Sequence, residues 1–395
     1  MNPAYNSLVA PAAKTLGQFG IEAGFLIPTK TGMEKSIMDA TWPLREYLSR
    51  TKFHDYRQQP QGTSSKRVVP IKIVRGTEVI EGRASLYRPD TKEGDPRIWI
   101  YDLPKYASAG DLIALIVSAG QLYAINCSRV DLRSQLENPA TFLGGLAAGL
   151  KSESSVAPEL LGKLREIGRK GFVPSLRRGD TGVGFTLETY LGIKANSRKT
   201  PDYKGIELKS FRKRGSREIT LFSKTPKWTE SAFSARAALN TFGYKDKKSG
   251  RLQLYCSIDA KRPNSLGFRL DPRYETDHLV NISFSRSRRG EDVFLWLVET
   301  LRGAFLAKHH ETFWIGAETK TVSGQEQFHY VEATHTRNPL AASFERLLEA
   351  GGVRVDLTMS ARGSHAVRDH GYLFRLYDEH FEDLFPVVAT HSLKL

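Results

Sequence analysis

The chain has 395 residues, with 58 Lys and Arg against 43 Asp and Glu for a net charge of +15, and only two cysteines, Cys127 and Cys256. That length suggests two domains, each able to bury a core unaided. The cysteine count excludes a disulfide scaffold and a four-cysteine zinc site, which fits a reducing compartment. No stretch approaches the roughly 18 apolar residues of a membrane helix. The first 28 residues are interrupted by Lys14 and Glu22, so neither signal peptide nor anchor is expected and the expected location is cytoplasmic.

In chain order, 68–80 reads as strand, 85–101 as further β structure around the turn-rich 88–96, and 121–127 as another short strand. Residues 111–119 read as helical or buried. The Gly/Ala-rich stretch 139–150 and Ser-rich 151–157 read as a boundary near 155, with a helix over 159–169. This predicts a β-rich α+β accessory domain over 1–155 and a second domain over 156–395. In the second domain Leu187 and Leu191 predict a helix over 184–191, stopped by Gly192. Residues 203–210 and 218–222 alternate as strands around a basic loop, 211–217. Further strands are predicted over 252–258, 279–284 and 313–320, and helices over 292–306 and 339–349. The interleaving predicts a mixed α/β core.

The charge is concentrated. Residues 161–217 hold fifteen Lys and Arg against five acids, two thirds of the net excess. Such density suits a polyphosphate partner, because each neutralised phosphate releases counterions; a solvated basic face is the alternative. Within this segment lies Thr200-Pro-Asp-Tyr-Lys-Gly-Ile-Glu-Leu-Lys-Ser210. On a strand, Glu207 and Lys209 share one face while Ile206 and Leu208 pack on the other. A bend at Lys204-Gly205 can bring Asp202 back beside Glu207. Two carboxylates and the carbonyl of Leu208 suit Mg²⁺, which takes one or two carboxylates and completes its shell with water and phosphate oxygens. A metal there activates water and neutralises a phosphate, and Lys209 can orient that water or stabilise the transition state. Glu188, on the preceding helix, is a candidate for an outer acid or a second metal site. The tripeptide Glu-Leu-Lys by itself equally describes a salt-bridged surface strand.

The surrounding motifs carry more. Gly182-x-Gly184-x-x-Leu187-Glu188-x-x-Leu191-Gly192, Asn196-Ser197, Pro201-Asp202, Gly205-Ile-Glu-Leu-Lys-Ser210 and Leu221-Phe222-Ser223, in this order, resemble the MvaI/BcnI restriction endonucleases. These are relatives of the mismatch-repair nicking enzyme MutH in the PD-(D/E)XK superfamily, and the resemblance covers 175–390. It implies a PD-(D/E)XK nuclease core, a mixed central sheet flanked by helices, with double-stranded DNA in a cleft and Mg²⁺ as cofactor. It implies Asp202 and Glu207 as metal ligands, Lys209 as the catalytic lysine and Glu188 as an acidic neighbour. The activity implied is type II restriction: a monomer hydrolysing one strand at a time to 5′-phosphate and 3′-hydroxyl ends, with a cognate DNA methyltransferase as genetic partner.

The family places base-reading residues late in the chain, and the matching region here is 353–376, with Arg362, His365, Arg368 and His370. Arg can bridge guanine O6 and N7 and His can meet a base edge, but phosphate contact or solvation is equally open to them. Arg212, Lys213 and Arg214 are expected on phosphate. The pair His329 and His335 around Glu332 is expected to be structural or at the surface rather than a metal site, His309-His310 a solvated pair at a helix end, and Phe294 and Trp296 core. The aromatic and basic stretch 87–101 suits either a base-stacking reader or a turn above a β core. Two rival functions remain at this level: a MutH-like, methylation-sensitive nicking enzyme, and a DNA-binding protein whose nuclease core no longer cuts.

Overall fold

In the computed structural model, residues 3–91, 94–151, 156–193, 201–213, 219–284, 289–361 and 367–394 are described. The chain divides into two compact units, Met1–Glu153 and Ser154–Leu395. No described helix is long and apolar enough to cross a membrane.

The first unit runs α1 (Pro3–Gln18), β1 (Gly24–Leu26), α2 (Lys30–Lys35), β2 (Met38–Asp39), α3 (Trp42–Arg50), β3 (Arg67–Arg75), β4 (Glu78–Tyr87), β5 (Arg97–Ile100), β6 (Ile113–Ser118), β7 (Gln121–Asn126), α4 (Leu132–Glu137) and α5 (Phe142–Lys151). Its seven strands form one sheet, ordered β1-β6-β7-β3-β4-β5-β2, in which β3 and β7 run parallel. Alternate residues of β6 enter different cores: Ile113 and Leu115 pack with Leu44 and Leu48 of α3, and Ala114 and Ile116 with Leu16 of α1 and Leu143 of α5. Burial on both faces removes the alternation that marks a half-exposed strand, so within 111–119, read as helical or buried, residues 113–118 are a buried strand and not a helix. Residues 142–151 are helix and not a linker. Their glycine reflects close packing, since a Cβ on Gly144 would lie 1.9 Å from the carbonyl oxygen of Asn138.

The second unit begins with α6 (Val156–Gly168), β8 (Val173–Pro174), α7 (Gly182–Tyr190), β9 (Glu207–Arg212), β10 (Ile219–Ser223), α8 (Ala235–Phe242), β11 (Tyr244–Lys245), β12 (Leu252–Ile258), β13 (Phe268–Arg273), β14 (His278–Ser283) and β15 (Asp292–Leu297). It continues with α9 (Val298–His309), β16 (Glu311–Val322), β17 (Gln325–Arg337), α10 (Ala341–Ala350), β18 (Val353–Ala361), β19 (Arg368–Leu376), α11 (Phe381–Leu384) and β20 (Val387–Ser392). Three sheets result, ordered β20-β17-β16-β9, β10-β19-β18-β12-β11 and β13-β14-β15, with β9 parallel to β16 and the short β8 joined to β17. This is a mixed α/β arrangement.

The predicted helix over 292–306 is corrected. Residues 292–297 pair with β14 as a strand, and the helix starts at Val298. The apolar run from Val293 to Val298 fits either state by periodicity. Strand wins because both faces are covered, with Phe294 and Trp296 at 0% and 1% exposure in the core. On the other side of the first sheet, α6 buries Leu160, Leu164 and Ile167 against β17 and β9. It comes so close that a Cβ on Gly168 would lie 2.5 Å from the carbonyl oxygen of Leu393.

Candidate active site

The centre is built on β9, the end strand of its sheet, which has one edge paired to β16 and, among the described residues, no strand on the other. Leading into it, Tyr203 and Ile206 bond to each other's backbone around Lys204 and Gly205, which both have positive φ (46° and 94°). Glycine accepts that conformation at little cost, and one residue of lysine there is tolerable. The tight turn folds Asp202 back against the strand, where its Oδ2 accepts a hydrogen bond from the amide of Leu208 at 3.0 Å. The free-edge amide of Leu208 is thereby satisfied without a neighbouring strand.

Edge parity fixes the rest. The amide of Lys213 bonds to Ala317 of β16, so odd-numbered residues of β9 turn their backbone groups to β16. Even-numbered ones turn both N–H and C=O outward. The carbonyl of Leu208 therefore faces the same side as the Asp202 carboxylate. Side chains follow the two faces of the strand. Ile206 and Leu208 pack into the core with Val183 and Leu187 of α7, and Glu207, only 4% exposed at its side chain, meets Nζ of Lys209 at 2.7 Å. Burying a carboxylate without a partner is costly, so this pairing is what makes Glu207 tolerable there.

The three carboxyls feel one another. Burial raises Asp202 above the usual carboxylate range and the charge of Glu207 adds to this, while the Leu208 amide and the charges of Lys209 and Lys308 pull the other way. Glu188, on α7, is raised by burial and then by Asp202, against the charge of Lys209. Its Oε1 would be 3.7 Å from a Cβ on Gly184, an ordinary van der Waals distance. Two neighbouring carboxylates, Asp202 raised by burial and by the charge of Glu207, and an outward carbonyl are an oxygen donor set of the kind a hard dication relieves. Among the described residues no group of three or more His, Cys, Asp or Glu is disposed to hold an ion. Asp202, Glu207 and the Leu208 carbonyl suit a hard divalent cation that completes its shell with water and phosphate oxygens.

One neighbour went unnoticed in the sequence. Lys308, in the last turn of α9, places its Nζ 3.4 Å from the same Glu207 oxygen that Lys209 holds. The next residue corrects an expectation: His309 is not a solvated pair member but fully buried, its pKa lowered by burial and by Lys209 to about 3. Its Nε2 donates to the carbonyl of Leu221 at 2.8 Å, which leaves Nδ1 to accept from the Thr312 hydroxyl at 3.2 Å.

The expected DNA contacts fare unevenly. The guanidinium of Arg212 is engaged within the protein: Nε and Nη2 donate to the Glu326 carboxylate at 2.7 and 2.8 Å, and Nη1 and Nη2 to the carbonyls of Asp180 and Gly179. Lys213 meets Glu332 at 2.7 Å. Arg368 is exposed at the start of β19 and His370 lies within the same strand. Arg214, Arg362, His365 and the motif Asn196-Ser197 lie outside the described residues. His329 donates to the carbonyl of Gly168 at 3.1 Å, while His335 meets Glu311 at 2.8 Å and stacks on Phe313, so each has a separate structural partner. In the first unit Lys66 lies over the rings of Tyr87 and Tyr101, Arg83 lies over Tyr101, and Arg88 braces its own turn through Gly94 and Gln59.

The structure is similar to that of restriction endonuclease MvaI in complex with its cognate DNA substrate. The TM-score is 0.52 with 22% identity, covering 61% of this chain and all of that one. It also matches MvaI in the absence of DNA, at a TM-score of 0.39 with 21% identity, over 61% of this chain and 99% of that one. The first likeness is one of fold. No curated protein matches the chain. A model of the MvaI/BcnI restriction endonuclease family matches residues 161–385, more than half the sequence, a span within which Glu188, Asp202, Glu207 and Lys209 lie. The chain belongs to the MvaI/BcnI restriction endonuclease family.

Proposed function

We propose that the second unit is a Mg²⁺-dependent type II endonuclease with a PD-(D/E)XK core, hydrolysing phosphodiester bonds in double-stranded DNA at a short recognition sequence. The observation that carries this is the grouping at the free edge of β9, with Asp202 returned to the Leu208 amide and Glu207 paired to Lys209. Family membership supports the reading, as does the basic excess of residues 161–217.

Asp202, Glu207 and the Leu208 carbonyl would hold the cation. When bound, it supplies a water of lowered pKa and neutralises charge on the phosphate. The protein's own groups do the remainder. Lys209 projects beside Glu207 and can donate hydrogen bonds to the attacking water and to the non-bridging oxygen on which charge accumulates. Glu188, raised by burial and by its acidic neighbours, is suited to hold a proton or an outer water at the edge of the centre. The backbone ladder between β9 and β16 fixes these groups before substrate arrives, which lowers the reorganisation needed during reaction.

Arg368 and His370 of β19, with Arg362 and His365 nearby in sequence, are assigned to base or phosphate contact, and Lys213 and Arg214 to phosphate. Arg212 is reassigned to bracing β9. The first unit is read as an accessory DNA-binding or regulatory module, supported by its cations lying over Tyr87 and Tyr101. The enzyme is read as a monomer, with a methyltransferase protecting the host's sites.

Supercoiled DNA incubated with Mg²⁺ and the purified chain tests the assignment, beside Asp202→Ala and Lys209→Ala. Wild type is expected to nick and linearise the DNA, and each variant to lose activity by about 10²-fold or more. Equal cutting by all three refutes the site; no cutting of unmodified DNA by the wild type refutes the function.

A further inference from the structure

Glu207 has two ammonium neighbours. Lys209 stands at 2.7 Å from its Oε1 and Lys308 at 3.4 Å from the same atom. The charge of Lys308 also reaches Asp202. This side chain is delivered from α9, whose end is fixed by the next residue: His309 is buried, bonded to Leu221 and Thr312, and stacked on Trp314 with 7° between the ring planes. The last helical turn is also where a lysine is favoured by the helix dipole. The Lys308 backbone is therefore anchored while its side chain remains 36% exposed.

Two like charges on one carboxylate oxygen repel each other, and the anion between them holds both. A dication arriving at Glu207 reverses that balance, so an ammonium has to give way. Lys209 is tied to β9 two residues from Glu207, with the shorter contact and the less exposed side chain. Lys308 has the longer contact, the more exposed side chain and a flexible four-carbon stem. It is the one free to swing toward the open side, where the phosphate of a bound duplex would bring negative charge.

We propose that Lys308 is a further catalytic residue of this centre. It shields Glu207 while no cation is present and moves onto a non-bridging oxygen of the scissile phosphate once a cation takes Glu207. This rests on the endonuclease reading above.

The test compares the full-length chain with Lys308→Gln and, in case that variant does not fold, Lys308→Met, which keeps most of the aliphatic stem; Lys209→Ala runs alongside. Calorimetric titration with Ca²⁺ alone, without DNA, is expected to show several-fold tighter binding by the Lys308 variants, because the competing charge is gone. Single-turnover cutting of a plasmid that the wild type linearises, at saturating Mg²⁺, is expected to fall about 10²–10³-fold. A folded Lys308 variant with unchanged Ca²⁺ affinity, or cutting at the wild-type rate, overturns the proposal. If the wild type cuts and Lys209→Ala does not, a fully active Lys308 variant removes only the role of Lys308. A wild type inert on every DNA removes the endonuclease reading and this inference with it.

Discussion

Without a bound cation, Asp202 is held at some cost. Burial and the charge of Glu207 raise its carboxyl, and the Leu208 amide offsets this only in part. A carboxyl raised on folding contributes stability below its unfolded pKa, and that contribution is lost as pH rises through the folded value. Asp202→Asn keeps an acceptor for the Leu208 amide and removes the charge. In EDTA at pH 8 it is therefore expected to melt above the wild type, the gap closing as pH falls below about 4, the ordinary value for aspartate. Scanning calorimetry across that range checks it, and a lower melting temperature for the variant at pH 8 contradicts the electrostatic account. Arg212 behaves differently. Its guanidinium carries an ion pair with Glu326 and two backbone carbonyls, so Arg212→Met is expected to lower stability by about 1–3 kcal/mol by leaving those partners unsatisfied. A variant of wild-type stability with weakened DNA binding would return Arg212 to the phosphate.

Helix α6 supplies a comparison between two glycines in one element. At Gly168 a Cβ would lie 2.5 Å from the Leu393 carbonyl oxygen and 3.0 Å from that of Tyr330, whereas at Gly162 nothing stands within 4 Å. Gly168→Ala must push the helix from the sheet and lose the His329 bond to its carbonyl. A destabilisation of about 1–3 kcal/mol is expected, read as a fall in melting temperature. Gly162→Ala, on the exposed side, is expected to stabilise by about 0.5–1 kcal/mol, because alanine loses less conformational freedom in a helix. Equal effects from the two substitutions would mean that α6 is not seated as described. The same element logic explains α9. A continuous apolar run concealed the change from β15 to helix, and only pairing with β14 fixed where the helix begins and hence where Lys308 points.

Across the whole molecule the net charge of +15 governs association with DNA. Binding measured in Ca²⁺ is expected to weaken steeply with salt. If about 6–10 phosphates are contacted, affinity falls about 10³–10⁵-fold between 50 and 200 mM, with log K linear in log salt. A flat salt response would indicate that the basic excess lies away from the duplex. The family match begins at residue 161, which leaves the whole of the first unit, with its own seven-stranded sheet and cores, outside the matched part of the chain.

Much of the candidate site is made of residues close in sequence. Asp202, the Lys204-Gly205 turn, Glu207 and Lys209 span eight positions, so turn geometry and strand alternation alone can bring their side chains together. Lys308, the burial of His309 and the engagement of Arg212 by Glu326 depend on partners far along the chain. No local period records such pairings, because they arise only when β9 is laid against β16 and α9 is docked at its side. The sequence by itself determined that two acids and a lysine lie within reach of one another; the tertiary structure decided which charges surround them, since the field at a buried carboxylate is set by whatever packing brings within a few ångströms.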